Sequence, residues 1–222
     1  MKTKFYNISV DTDIVDVYSI NYSKNRQSIN SANWSNWESE NIVNNYYSFT
    51  PTELATPRLL HSKRTPITDI IKIEGFPRRG CVVSSKFLNL LKDFSLPTVM
   101  TYPIEVLYND EIHMYHYILF VHDSSIDVDF KKTKFHVHKY GKTEPEGLIS
   151  FDAWAYAYEN EEPYYVSKLS KESVIYFTKF DYDIFTLERI YSNSVIVNEK
   201  LKIVLEKELF GIVFDECKNY HN

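Results

Sequence analysis

Glycine is scarce in this chain: five residues in 222. Dinucleotide-binding and phosphate-cradling loops spend glycines on tight turns and close backbone approach, so neither class fits. Cysteine is scarcer still. Cys81 and Cys217 allow one disulfide at most and exclude a four-cysteine zinc site. No window approaches the roughly 18 uncharged apolar residues of a membrane-spanning helix. The start, Met1 to Asp11, has no apolar core, and Asp11, Asp13 and Asp16 fall where a secretory signal would carry one. The expectation is a cytoplasmic protein with both cysteines as thiols. Positive charge is also in deficit, with 25 Lys+Arg against 30 Asp+Glu and a net charge of -5. That balance excludes a general nucleic-acid binder.

What remains is apolar and aromatic. The chain is 44% hydrophobic, with 18 Tyr and 14 Phe. It can bury a real core, and its aromatics favour strands and large contact surfaces. The length suits a single domain. Residues 1–22 alternate loosely through Ile14, Val15, Val17, Tyr18 and Ile20, as one or two strands. Residues 23–50 are polar and loop-like, with Trp34, Trp37, Tyr46, Tyr47 and Phe49 among them. Ile67 to Ile73 reads as a strand, and Phe76 to Gly80 as a turn.

A clearer unit follows. Cys81-Val82-Val83 is a short apolar strand, and Ser84 can cap a helix by accepting an orphan amide of the first turn. Phe87, Leu90, Leu91 and Phe94 then lie on one helical face, stopped by Pro97. Val99 to Val106 returns as an extended segment. The pattern recurs near the C-terminus. Val195-Ile196-Val197 is the strand, Asn198 the cap, and Leu201, Val204 and Leu205 the helix face. Leu209 and then Gly211 to Phe214 lead back into a strand. Lys86 matches Lys200 and Leu91 matches Leu205 at an offset of 114 residues, with one gap near Ser95.

Sheet-forming sequence lies between the two units. His113 to Asp123 puts Met114, His116, Ile118, Phe120 and His122 on one face and Tyr115, Tyr117, Leu119 and Val121 on the other, as in a central strand. Ile126, Val128 and Phe130 alternate with Asp127 and Asp129 as in a half-exposed strand. Lys134 to Tyr140 reads as another, and residues 164–185 as one or two more. There is no sustained βαβα alternation. The expected class is α+β: a mixed, mainly antiparallel sheet with two strand-cap-helix units, at about 81–106 and 195–216.

Residues with reactive chemistry are few. His136 and His138 share one face of their strand and are the best candidate for an unrecognised metal or enzyme site. Their setting among Lys131, Lys132, Lys134, Lys139 and Lys142 repels a cation. His113 and His116 fall on opposite strand faces. No Gly-x-Ser-x-Gly elbow is present. Arg78 and Arg79 can lower the pKa of the Cys81 thiol, but its apolar strand favours plain packing. Asp123, Asp127 and Asp129 lack the glycine and distal glutamate of a calcium loop. No catalytic residue, metal or cofactor is expected.

Charge is more informative. Glu144, Glu146, Asp152, Glu159, Glu161 and Glu162 form an acidic run with no basic residue among them. Phe151, Trp154, Tyr156, Tyr158, Tyr164 and Tyr165 are interleaved. Aromatics provide contact area at low entropic cost, and acids steer a basic partner. Asp152, Trp154, Tyr156, Tyr158, Glu159, Glu161 and Glu162 are therefore the candidate partner-binding residues. The competing view is an aromatic core with a solvated acidic face.

Gly80-Cys-Val-Val-Ser-Ser-Lys-Phe-Leu-Asn-Leu-Leu, then Pro103-Ile-Glu-Val, then Tyr115-His-Tyr-Ile-Leu-Phe-Val-His-Asp resemble a group of bacterial immunity proteins of polymorphic toxin systems. Ile184-Phe185, Val195-Ile-Val-Asn-Glu-Lys-Leu and Gly211-Ile-Val-Phe-Asp match that group's closing segment. The resemblance spans about residues 65–217, with 1–64 as a variable N-terminal part. Asn198 stands where the group commonly has serine. The resemblance implies a non-enzymatic protein that binds and neutralises a toxin domain of the same cell by occlusion. A basic toxin domain would best match the acidic charge, with neither nucleic acid nor membrane as partner. The alternatives are an enzyme or metal protein built around His136 and His138, and a structural interaction module.

Overall fold

A computed structural model describes residues 3–11, 21–22, 58–60, 66–71, 80–122, 124–136, 148–150, 173–178, 181–187 and 192–221. The first elements are strands β1 (Phe5–Val10), β2 (Asn21–Tyr22), β3 (Arg58–Leu60), β4 (Ile70–Ile71) and β5 (Gly80–Ser84). Helix α1 (Ser85–Leu90) follows, tightening into a 3-10 turn at Leu91–Asp93. Strands β6 (Val99–Tyr108) and β7 (Glu111–Phe120) lead to a second 3-10 turn, Ser124–Asp127. Then come β8 (Lys134–His136), β9 (Leu148–Ser150), β10 (Ile175–Tyr176), β11 (Ile184–Leu187) and β12 (Ser192–Asn198). Helix α2 (Glu199–Glu208), β13 (Ile212–Glu216) and β14 (Tyr220–His221) close the chain. The fold is α+β, and its sheets are mainly antiparallel.

Two sheets organise it. One has the order β2-β3-β6-β7-β5-β4, the other β11-β12-β1-β13. Both helices lie in the core that the two sheets share: Val83, Ile118 and Phe120 from the first sheet, Ile8, Val10, Val195 and Val197 from the second, and Phe87, Leu91, Leu201 and Leu205 from the helical segments. The outer face of each sheet has its own cluster. Behind the first lie Val82, Ile104, Val106, Tyr115, Tyr117 and Leu119. Behind the second lie Phe5, Phe185, Leu187 and Ile196, covered by Val128, Phe135, Ile175 and Phe177. Phe5 meets Phe177 and Phe185 edge-on at 5.6 Å each. Strand β7 is central, as its two apolar faces predict.

Both strand-cap-helix units form, and they form alike. The Ser84 hydroxyl accepts the Phe87 N–H at 3.1 Å, and the Asn198 side-chain oxygen accepts the Leu201 N–H at 3.0 Å. Each cap is held by an aspartate. Ser84 donates its hydroxyl proton to Asp69 Oδ1, and its N–H to the Asp69 carbonyl. Asn198 donates its amide to Asp183 Oδ1, and its N–H to the Asp183 carbonyl. Each aspartate then grips the other unit just past its helix. Asp69 Oδ2 accepts the Phe210 N–H at 2.8 Å, and the Asp69 N–H donates to the Phe210 carbonyl. Asp183 Oδ2 accepts the Ser95 N–H at 2.7 Å, and the Asp183 N–H donates to the Ser95 carbonyl. Asp69 and Asp183 stand 114 positions apart, the same offset as Ser84 and Asn198. The lysine of each first turn crosses over too: Lys86 reaches the Glu208 carbonyl at the end of α2, and Lys200 sits 4.8 Å above the Phe94 ring beyond α1.

The correspondence includes the middle strand of each sheet. Strand β7 pairs antiparallel with β5 and β6, and β1 pairs antiparallel with β12 and β13. Ser84 faces Tyr115, and Asn198 faces Phe5. Val121 donates to Thr98 where β7 ends, and Asp11 donates to Gly211 where β1 ends. β1 therefore fills in the second unit the place that β7 fills in the first. The first unit runs β4-β5-α1-β6-β7 and the second β11-β12-α2-β13-β1, with its last strand supplied from the start of the chain.

Two glycines serve close contacts. A Cβ on Gly80 would meet the Ile118 carbonyl oxygen at 2.1 Å, so β5 can approach β7 only there as glycine. Gly211 has φ +77° and turns the chain from α2 into β13 against Thr68.

Several expectations need correction. The α1 face itself packs as expected, with Phe87 and Leu91 buried and Leu90 and Phe94 partly buried against the same core. The helix tightens at Leu91 and opens to extended backbone at Phe94, so it ends before Pro97. Ser124–Asp127 is a 3-10 turn and Val128 an isolated bridge to Phe177, where alternation suggested a strand. The β7 strand stops at Phe120 rather than at Asp123. Within the expected Ile67 to Ile73 strand, β4 starts only at Ile70, because Thr68 and Asp69 turn their polar groups to Ile70 and to the Ser84 cap; residues 72–73 lie outside the described residues. Ile14 to Ile20, all of residues 23–57, and the 137–140 part of the lysine-rich strand lie outside the described residues.

Asp183 is 8% exposed, and its carboxylate accepts from the Asn198 amide and the Ser95 N–H and lies 3.7 Å from Lys200 Nζ, so its loss is costly. Asp183→Ala should lower urea-unfolding stability by about 3 kcal/mol, and the more accessible Asp69→Ala by about 2 kcal/mol. Asn198→Ser should stay within about 0.5 kcal/mol of the parent, since Ser84 does the same work, whereas Asn198→Ala should lose about 1–2 kcal/mol. Equal losses for the two Asn198 variants would contradict the equivalence of the caps. A chain with residues 1–11 moved behind Asn222 through a short linker should still unfold cooperatively, because Cys217 already donates its N–H to Phe5.

Candidate interaction surface

The acidic-aromatic candidates Asp152, Trp154, Tyr156, Tyr158, Glu159, Glu161 and Glu162 all lie outside the described residues. So does His138, while His136 closes β8 opposite Leu148. Among the described residues, no three His, Cys, Asp or Glu side chains gather as metal ligands. Asp129 is used locally, accepting the Lys131 and Lys132 N–H groups at a turn. Asp127 Oδ2 lies 3.6 Å from His122 Nε2, whose ring meets Tyr182 edge-on at 5.7 Å. Cys81 and Cys217 are both free thiols. Burial pushes the Cys81 thiol up to about 12, so it is kept protonated rather than activated.

The described surface with the most distinctive character is the far end of the β6–β7 hairpin. Asn109 and Asp110 both take positive φ, 51° and 67°, as a two-residue turn of the strand-matching kind requires. The ten-residue ladder from Val99–Phe120 to Tyr108–Glu111 alternates cleanly. Ile104, Val106, Tyr115 and Tyr117 turn to the outer cluster. Pro103, Glu105, Leu107, Ile112, Met114 and His116 share the opposite face, the one that α1 covers nearer the hairpin's base. There Ile112 is 50% and Met114 46% exposed.

Ser85 fixes this end to the helix. Its Oγ lies 3.0 Å from His116 Nε2 and 3.2 Å from the Met114 carbonyl oxygen. Burial lowers the His116 pKa, which keeps the imidazole neutral at pH 7. A serine hydroxyl against a neutral imidazole is the first half of a nucleophile-base arrangement. Among the described residues no third group orients the ring, and the Met114 carbonyl competes for the hydroxyl proton. The pair acts as a tie between β7 and α1.

Sequence reasoning placed His113 and His116 on opposite faces, and they are: the His113 ring lies tilted against Tyr108 at 6.0 Å, and His116 faces Ser85. It passed over the aspartate clamps, although extending the 114-residue offset upstream from Ser84 would have matched Asp69 with Asp183. The exposure of Ile112 and Met114 was not legible, because the alternation that marks a buried face continues beyond the helix that covers it.

No family model matches the chain, and no characterised protein matches its sequence.

The neutral His116 implies a pH effect. With its folded pKa below the unfolded value of 6.5, the unfolded state takes up a proton first as pH falls. Its contribution therefore favours folding above that range and is lost on acidification through it. The thermal midpoint should fall between pH 7 and pH 5 by more in the parent than in His116→Gln. Parallel pH profiles for the two proteins would show that His116 is not the group responsible.

Proposed function

We propose that the chain is an immunity protein, one that binds a cognate toxin domain and neutralises it by covering a functional surface. The observation that carries this reading is the place of the resembling segments in the fold. Gly80 to Leu91 and Val195 to Asp215 are corresponding halves of one clamped scaffold, so the resemblance rests on the residues that determine the architecture. Its cap residue, Ser84, and its leucines are structural, as Leu91, Leu201 and Leu205 are buried. The departure at Asn198 keeps the capping function. An acidic chain with a net charge of -5 also suits a basic target, since opposite charge speeds encounter and selects the partner.

A tagged chain recovered from its native host should carry one stoichiometric partner in mass spectrometry: a secreted protein whose C-terminal domain kills when expressed alone and is tolerated when co-expressed with this chain. Recovery of the chain alone, in cells that express such a toxin, would count against the reading. Reversing Glu159, Glu161 and Glu162 to Lys should weaken toxin binding by about 10-fold or more and flatten its salt dependence. Unchanged affinity and salt slope would remove that stretch from the interface.

A further inference from the structure

We infer that the far end of the β6–β7 hairpin, centred on Ile112 and Met114, is the docking site for the toxin domain, and that the partner surface seated there is apolar at its centre and basic at its rim. The inference rests on the immunity reading above.

The internal correspondence supplies the argument. Paired registers align Met114 with Lys4 and Ser85 with Glu199. In the second unit those positions hold a charged pair: Lys4 Nζ lies 3.9 Å from Glu199 Oε1, both half-exposed. The same helix residue touches the same strand carbonyl in both units, Glu199 N–H to the Lys4 carbonyl and Ser85 Oγ to the Met114 carbonyl. One surface position built twice thus carries a charged pair in the second unit and the apolar Met114 side chain in the hairpin. Scattered apolar side chains are normal on a protein surface. Here Ile112 and Met114 are neighbours on one face, with Leu107 directly across the ladder from Ile112.

The hairpin also exceeds what the scaffold needs. Strand β13 ends at Glu216, whose aligned position in the first unit is Pro103. Val106 to His113, the hairpin beyond the Glu105–Met114 pair, has no counterpart in the second unit's sheet. It lies outside the core the two sheets share, although Val106 packs in the outer cluster and β3 pairs along β6 there, and the Ser85–His116 tie and the two-residue turn help to hold it in one shape. A surface ordered before binding spends less free energy on association.

Charge identifies the partner. From Phe94 to Phe130 the sequence has six acidic residues and no lysine or arginine. Glu105, Asp110 and Glu111 belong to the hairpin itself, and Glu111 is 81% exposed. An apolar centre with an acidic rim fits a partner of the complementary pattern.

The test uses the full chain in its native host. A photo-reactive benzoylphenylalanine at position 112 should cross-link to the toxin polypeptide, while the same group replacing Ile203, 58% exposed on α2, should not. The cross-linked domain is then purified and titrated. Ile112→Ser/Met114→Ser should weaken its binding by about 30-fold with an unchanged thermal midpoint, and Lys4→Ser/Glu199→Ser should bind as the parent does. Parent-like binding by the Ile112/Met114 variant, or cross-linking from position 203 instead of 112, would overturn the docking site while leaving the immunity reading intact. A parent chain that protects against no toxin would overturn both.

Discussion

A helix that starts inside a protein leaves amide donors that must be satisfied, and here each solution is tied to the other. The cap of one helix is oriented by an aspartate whose second oxygen and backbone grip the segment leaving the other helix. A carboxylate can serve both ends because it offers several acceptor positions around two oxygens. Neither unit can complete its clamp alone, since Asp69 needs Phe210 and Asp183 needs Ser95. The two sheets, the two helices and their common core are therefore one cooperative structure, although the chain spells it as two related segments.

The parts visible in the sequence were those governed by local rules. Ser84 and Asn198 announce caps because a polar side chain precedes an apolar helical face. Phe87, Leu91, Leu201 and Leu205 announce burial by their spacing. The α+β class follows from the same patterns. What escaped depends on tertiary context. Nothing local to Asp69 says that its carboxylate will meet Phe210, 141 residues away. Ile126, Val128 and Phe130 alternate like a strand, yet the chain there turns to pair with Asp127–Thr178 and Val128–Phe177, and the alternation serves a turn laid over the second sheet. The 114-residue repeat was readable as a string match, while its most consequential member, the β1–β7 correspondence, is hidden by chain order.

Repetition within one chain sharpens the functional argument, because each unit is a reference for the other. Positions needed for the scaffold stay alike: cap, clamp, crossing lysine, buried leucine. Where equivalent positions diverge without a structural reason, the demand comes from outside the fold. The hairpin beyond Pro103 is the largest divergence among the described residues, and it is acidic and partly apolar. The proposed inhibitory role needs such a surface on a rigid support.

The placement of β1 has a consequence for synthesis. Residues 66–122 hold nearly all the contacts of the first unit close together in sequence, so that unit can collapse while the chain is still emerging. Phe5 pairs with Asn198, accepts from Cys217 and meets the Tyr220 ring, all contacts between residues far apart in sequence. Contacts this distant carry the largest loop-closure cost and form last. β1 is made well before β12 and β13, so the second sheet lacks its middle strand until both have joined it.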